Sequence, residues 1–527
     1  MKKLQVWLPL LFALVLIAGM WIGFRLRNNI PNSRGLFQSA QRSSVQEVID
    51  LVNARYVDKV SSDSLAEDAI QAMLTHLDPH SIFIPAKYLD EVNADLQGNF
   101  EGIGVEFFII NDTVNVTNVL ADGPSDKAGL KVGDQFVKVG DSTVAGKIDG
   151  ERIKKLLRGP GGSQVAVMVL RNNKPFSTTI TRGTIPLYSV DAAYMVDATT
   201  GYIHLNKFSG TTYEEFMQAT EKLQGQGMKQ LIFDIRDNGG GILGEAVDIV
   251  DEFLDDNKLI VYTQGDKQPR QDFRCKRPGL LEKGKVVLLV DENSASASEV
   301  VAGALQDWDR ATLIGRRTFG KGLVQEQYDL SNGAALRLTV ARYYSPLGRN
   351  IQKPYNKGRE AYNDEVAERF HNGEMMTGDT STNHVGPSYK TPKGRTVYGG
   401  GGITPDIFIP YDTTGYSRPV YQLFSKQTFS RFIYAYYIQH RNYFDQFKNP
   451  KDFAQRFDKT GDAWSNLVNF AAKDSIQLGS LTSHDKAEVE RRISTWLARQ
   501  IWRMPGYFEV NNLNDTMVKR AIEELKK

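Results

Sequence analysis

Apolar positions recur along the chain with two periods, and the changes from one to the other divide it. Val45, Val48, Ile49, Leu51 and Val52 fall at helical spacing. Leu65, Ala69, Met73 and Leu74 predict a second amphipathic helix, which Pro79 ends within Leu77-Asp-Pro-His80. His80 has no local partner and reads as a loop residue. From Asn99 the pattern shortens into strands separated by Gly/Asp turns: Val114–Val119, Asp134–Val139 and Gln164–Leu170 alternate or run apolar. From Thr184 strands alternate with helices, with strands at Tyr202–Leu205 and Gln230–Arg236 around a helix at Thr212–Leu223. Lys285–Val290 is nearly all apolar and suits a strand buried on both faces, and Arg337–Tyr344 is another core strand. This alternation marks a mixed α/β core. Gln352 to Tyr398 is polar and reads as a mobile excursion, helical only around Glu360–Phe370, before Gly399–Ile409 returns to the sheet. Beyond Pro410 the helices are aromatic: Phe424–Tyr443, Trp464–Ala472 and Lys486–Trp502. Those aromatics read as core, with a homodimer contact or partner surface as the lesser alternative. The expected divisions are 1–27, 28–98, 99–183, 184–410 and 411–527.

Composition narrows the function classes. A chain of 527 residues exceeds one core. With 64 basic against 62 acidic residues the net charge is +2, so no nucleic-acid surface is expected. The single cysteine, Cys275, excludes an intrachain disulfide, and the seven histidines form no His-x-x-x-His pair on a helix. Neither a metal nor an organic cofactor is expected. Val6 to Phe24 is 19 residues without a charge, preceded by Lys2 and Lys3. At about 1.5 Å per residue it just spans a hydrocarbon core of roughly 30 Å. Ile22-Gly-Phe-Arg25 offers no small-x-small cleavage site, which favours an uncleaved membrane anchor over a signal peptide. Arg25, Arg27 and Arg34 balance the front lysines. The short lysine-led start resembles an export signal and places the body outside the cytoplasm.

The candidate chemistry lies in Asp291-Glu-Asn-Ser-Ala-Ser296-Ala-Ser-Glu299, between the apolar strand and a helix rich in small residues. Ser294 or Asn293 is the expected cap, with Glu299 in the first turn. A serine here points off the carboxyl end of a sheet, and the next N–H sits at a helix N-terminus that favours negative charge. A serine hydroxyl is a weak nucleophile until a base takes its proton. No histidine is near, but Lys321 follows Ser296 by 25 positions in Phe319-Gly-Lys-Gly-Leu-Val-Gln325. Lysine serves as a base only when neutral, which requires desolvation or a neighbouring cation. Phe319, Leu323 and Val324 supply apolar neighbours, and Gln325 is placed to hold the amine. The plain alternative is a close-packed helix and a solvated loop lysine. Asn238-Gly-Gly-Gly241 follows a strand, so a substrate backbone can come close. Gly240 or Gly241 is the expected second oxyanion donor beside Ala297. A phosphate loop is the rival there, and no Gly-x-x-x-x-Gly-Lys-Thr follows.

These segments resemble the signatures of the carboxy-terminal processing peptidases, tail-specific proteases that use a serine–lysine dyad. The likeness continues through Asp234–Gly241, Tyr344–Gln352 and Gly400–Asp406, and so covers residues from about 45 to 410. It implies Ser296 as nucleophile, Lys321 as base and Gln325 as the residue orienting it, on a crotonase-like α/β protease body with helical regions at both ends. Asn293-Ser294 stands where Gly-Thr is common, and Leu347 and Asn350 where serines are common. Residues 99–183 resemble an inserted PDZ β-domain, whose use is to capture a free carboxyl terminus. The N–H groups around Gly102, Ile103 and Gly104 would cradle the carboxylate, and Arg158 matches the arginine coupling PDZ position to activity in relatives. The resemblance implies protein substrates with free C-terminal tails, an inner-membrane anchor and a periplasmic body. The rivals are an inactive PDZ scaffold at the membrane and an acyl-transferring enzyme, for which no cofactor pocket is evident.

Overall fold

The computed structural model describes residues 13–21, 44–146, 149–255, 257–378 and 386–527. Residues 1–76 and 77–527 are separate units. In the first, residues 13–21 are helical, and the remainder of the 6–24 apolar run lies outside the described residues. Among the described residues no helix is long and apolar enough to cross a membrane. The helices Ser44–Arg55 and Ser62–Thr75 match the predicted amphipathic pair, joined by Asn53 Nδ2 donating to Ser62 Oγ at 2.7 Å.

The second unit is built around a six-stranded sheet in the order Val190–Met195, Thr200–Leu205, Gln230–Asp234, Val286–Val290, Thr312–Gly315, Ile407–Phe408. Only the first pair is antiparallel. All five residues of Val286–Val290 are buried, as a strand covered on both faces requires. Alternate residues serve the two faces. Ile203, Phe233, Leu288 and Leu313 pack with Phe216, Val250 and Val301 of three helices on one side. Tyr202, Ile232, Leu289 and Ile314 pack on the other side against Met517, Val518, Ala521 and Leu525 of the helix Thr516–Lys526. A second, antiparallel sheet contains Ile82–Ile84, Ala335–Tyr344, Leu323–Asp329, Leu259–Gln264 and Gln271–Arg274.

A small antiparallel barrel-like sheet is inserted on a two-stranded stem. The incoming strand Asn99–Gly102 pairs with the outgoing strand Gly183–Pro186. Between them the order is Val105–Ile110, Thr113–Val119, Gln135–Val139, Gln164–Arg171, Lys174–Thr181, with the helix Gly150–Leu157 covering Ile109 and Val139. The C-terminal helices form their own aromatic core around Phe429, Phe444, Phe453 and Leu497. The predicted helix Phe424–Tyr443 is broken at Gln427, whose φ of 58° starts a new helix, Thr428–Gln439. These helices also reach the inserted domain: Gln500 Nε2 donates to Thr117 O at 2.9 Å, and Arg503 pairs with Glu106.

The polar stretch from Gln352 differs from its reading as a mobile excursion. The helix Arg359–His371 is docked, with Tyr362 and Arg369 buried, and Ser388–Lys390 pairs with Thr396–Tyr398 as a hairpin. The helix expected around Glu360–Phe370 is present; buried ion pairs rather than apolar periodicity hold it down, which is why hydropathy does not show its docking.

Candidate active site

Ser296 is the N-cap of the helix Ala297–Asp307, with φ 56° and ψ −115°. A non-glycine residue in that region costs on the order of 1–3 kcal/mol and persists only when its surroundings impose it. Here Glu299 imposes it. Its Oε2 accepts Ser296 N–H at 3.0 Å and Lys321 N–H at 2.8 Å, and its Oε1 accepts Gly320 N–H at 2.7 Å and Thr318 Oγ1 at 2.6 Å. Burial raises the Glu299 pKa while those four donors oppose it. Ser294 is not the cap: its hydroxyl donates to Ile235 O at 2.8 Å and its N–H to Asp291 Oδ1 at 3.1 Å.

The glycine loop reaches the same point. A Cβ on Gly240 would lie 2.8 Å from Ser296 Cβ and 2.9 Å from Ala297 N, so only glycine fits. Gly240 N–H already donates to Asn238 Oδ1 at 2.9 Å. That leaves the N–H groups of Gly241 and Ala297, which meet no acceptor among the described residues.

Ser296, Ala297, Gly240, Gly241, Lys321 and Gln325 line one cleft of about 800 Å³. Lys321 precedes the strand Leu323–Asp329, and Gln325 sits at its register shift against Ala335–Tyr344. Burial holds the Lys321 pKa below the ordinary lysine value, and the Arg337 cation across the cleft lowers it further against weaker opposition from Glu299 and Asp78. Gln325 does not hold the amine directly: its Nε2 donates to His80 O at 2.8 Å. His80 is therefore beside the site, and its ring is engaged by Tyr362. Nε2 lies 2.8 Å from Tyr362 Oη, and burial, then Lys321, lowers its pKa to about 3.

Tyr343 carries no distinguishing signal in the sequence, where it is one of two tyrosines ending an ordinary strand. Its buried hydroxyl lies 3.0 Å from Ser296 O and 2.6 Å from Lys321 O. Among the described residues no group of His, Cys, Asp and Glu could hold a metal ion.

In the inserted domain Ile103 is buried and its carbonyl accepts Ser125 N–H at 3.0 Å, while Gly104 O accepts Leu120 N–H at 3.0 Å. The N–H groups of Ile103 and Gly104 meet no acceptor among the described residues. Gly102 ends the stem ladder opposite Gly183. Val105–Ile110, which follows, ends the strand order, so among the described residues one of its edges has no strand beside it. Arg158 is not in that cradle. Its guanidinium lies 4.8 Å from the Phe100 ring centre and 4.0 Å from Glu91 Oε1. Glu91 belongs to the helix Ala86–Gln97, whose Asp95 and Leu96 line the same cleft as Ser296 and Lys321.

Comparison with known proteins agrees with this layout. Residues 199–358 match peptidase family S41, and residues 102–181 match the PDZ domain. A carboxy-terminal-processing protease from Bartonella bacilliformis is 35% identical over 58% of this chain and 71% of its own length. The chain belongs to peptidase family S41. It is thus a serine-type peptidase of the carboxy-terminal-processing group, with a PDZ domain inserted ahead of the S41 body. A probable CtpA-like serine protease of Staphylococcus epidermidis is 33% identical to this S41 peptidase, over 60% of this chain and 64% of the relative. Among solved structures, the photosystem II D1 C-terminal processing protease is 26% identical, covering 69% of this chain and 92% of that one, with a TM-score of 0.36. The PDZ domain of a Vibrio cholerae carboxy-terminal protease, in complex with peptide, is 29% identical over 17% of this chain and 99% of its own, with a TM-score of 0.16. Residues 420–503 of the S41 peptidase match a family of unknown function.

Proposed function

We propose that this S41 peptidase selects protein substrates by their free C-terminal tails and cleaves them with Ser296 and Lys321. The observation that carries the reading is the convergence of Ser296, Lys321 and two free N–H groups on one cleft, with the lysine pKa lowered by burial and Arg337. Ser296 Oγ attacks the scissile carbonyl carbon while neutral Lys321 Nζ takes its proton. Ala297 N–H and Gly241 N–H receive the developing oxyanion, at a helix N-terminus and a glycine turn. As the C–N bond breaks, Lys321 returns the proton to the leaving amine. A water, deprotonated by Lys321 Nζ, then attacks the acyl carbon, and the proton passes to Ser296 Oγ as its bond to the acyl group breaks. Gln325 acts through the loop at His80 rather than by a bond to Lys321.

The tail enters at the edge strand Val105–Ile110, with its carboxylate at Ile103 and Gly104 N–H. Arg158 and Glu91 join this domain to the helix that lines the cleft, which supports coupling between tail capture and cleavage. A chain bearing Ser296→Ala should not degrade casein, whereas the unmodified chain should; equal rates would remove Ser296 as nucleophile. No degradation by either chain would leave the rival reading, an inactive PDZ scaffold. The charge-free run at 6–24 supports a membrane anchor with the body outside the cytoplasm, on the periplasmic side. Fractionation of cells into membrane and soluble parts tests the anchor, and protease accessibility in spheroplasts tests the side.

A further inference from the structure

The helix Arg359–His371 lies past the last residue of the S41 match, yet its side chains end on the loop carrying Lys321. Arg369 is 2% exposed. It donates through Nη1 to Arg317 O at 3.0 Å and Thr318 O at 2.8 Å, and through Nη2 to Phe319 O at 3.1 Å. Three consecutive carbonyls just before Gly320-Lys321 thus converge on one planar guanidinium. Its Nε is held by Glu365 Oε1 at 2.8 Å. Glu365 also takes Arg317 Nη2 at 3.2 Å and Lys353 Nζ at 3.1 Å. Burial pushes the Glu365 carboxyl up, but Arg369, Arg317 and Lys353 outweigh it and hold it at about 2.

Residues just before this helix grip both flanks of Lys321. Lys353 N–H donates to Gly320 O at 2.9 Å, and Gln352 Oε1 accepts Gly322 N–H at 2.8 Å. The Lys353 ammonium lies 3.8 Å from the Phe319 ring centre and 4.3 Å from that of Tyr362. Tyr362 then meets His80, whose carbonyl holds Gln325. Gly320 and Gly322 give the loop no side chains of their own to pack, so its position has to be imposed from outside.

We propose that the helix Arg359–His371 is a brace for the general base, with Arg369 a positioning residue that fixes Lys321 through three loop carbonyls. The proposal rests on the reading of Lys321 as base. Removing the guanidinium leaves three carbonyls in a largely buried site short of a donor, so the loop shifts to find water. Lys321 then gains solvent, its pKa moves back toward the ordinary value, and less of it is neutral at working pH. The charged and titratable groups facing it are Arg337 from its strand, Glu299 from the nucleophile helix, and Asp78 and His80 from the preceding loop. A substitution at position 369 alters none of them.

The test compares Arg369→Lys, Arg369→Met and Tyr362→Phe with the unmodified protein on a peptide with a free carboxyl terminus. Folded active sites are counted with a serine-reactive phosphonate, and thermal unfolding is followed in parallel. The expected result for Arg369→Met is a fall in kcat of about tenfold or more per counted site, with KM within about twofold. The acid limb of kcat should move to higher pH, and Arg369→Lys should restore part of both. If Arg369→Met does not fold, Arg369→Lys and Tyr362→Phe decide, each with a smaller shift in the same direction. An unmoved limb and an unchanged kcat per site in those two variants, with only lowered thermal stability, would overturn the brace. Lys321→Ala, run alongside, separates the two ideas. If it is dead while the position 369 variants behave normally, the dyad stands and the brace falls; if it is fully active, both fall.

Discussion

The hydroxyl of Tyr343 lies 2.6 Å from the carbonyl oxygen of Lys321 and reaches Ser296 O at 3.0 Å as well. One side chain thus ties the backbones of the proposed nucleophile and base. Burial raises its pKa well above that of an ordinary tyrosine, so it remains a donor across working pH. Tyr343→Phe keeps the ring and removes the donor from two carbonyls. The expected cost is about 1–3 kcal/mol of stability and a fall in kcat of about tenfold, with KM little changed. Chemical denaturation and steady-state kinetics on the same preparation check both parts.

Ser296→Ala and Lys321→Ala are each expected to remove activity by several orders of magnitude, roughly 10³ or more, and the double variant to lose little beyond either. The loss of one member already disables the unit. Additive losses in a double-mutant cycle would show that the two residues act separately.

The sign of the pH dependence follows from Lys321. Its folded pKa lies below the ordinary lysine value, first through burial and then through Arg337. Only the neutral amine accepts a proton, so kcat/KM rises with pH as Lys321 deprotonates. Arg337→Gln removes the second cause and is expected to move that limb to higher pH. A limb that stays put would place the titrating group elsewhere.

His80 sets an acid-side stability slope. Its pKa is about 3 in the folded chain, lowered by burial, then Lys321. The unfolded chain takes up this proton near pH 6.5, whereas the folded chain does not until about 3. Stability from this group is therefore complete above about 6.5 and falls by about 1.4 kcal/mol per pH unit as the pH drops toward 3. His80→Gln should flatten the curve of unfolding free energy against pH by about one proton across that window. Unchanged slopes would show that His80 does not titrate as its burial implies.

Tail capture has its own readout. A substrate with an amidated C-terminus should be cleaved more slowly than the free acid, because the charge met by Ile103 and Gly104 N–H is gone. Gly104→Ala should bring the ratio of the two rates close to one. Its φ of 72° disfavours a side chain, and the added Cβ would lie 3.1 Å from Ile185 Cδ1 and 3.3 Å from Leu120 Cβ. A variant that still prefers the free acid would move the cradle away from this loop.

The sheet and the cleft were largely legible because their signals are local. Lys285–Val290 reads as a doubly covered strand from its composition alone, and the glycines at 239–241 announce a close approach. What escaped depends on contacts between distant segments. Tyr343 and Arg337 lie on a strand whose apolar pattern hides which polar tip faces the site. Gln325 was expected to hold Lys321, but the partner it finds, His80 O, is 245 residues away in sequence.

The helix Thr516–Lys526 covers much of one face of the six-stranded sheet, against Tyr202, Ile232, Leu289 and Ile314, with Phe508 of the preceding helix beside it. Translation makes that helix only after Ser296, Lys321 and the strands beside them. Until then those strands carry an open apolar face, and the geometry at Ser296 has no finished layer behind it. The cover of these strands therefore arrives after the cleft they support. A chain broken off ahead of Thr516 would bear an uncovered oily patch, the kind of surface that chaperones and degradation systems recognise, instead of a working blade.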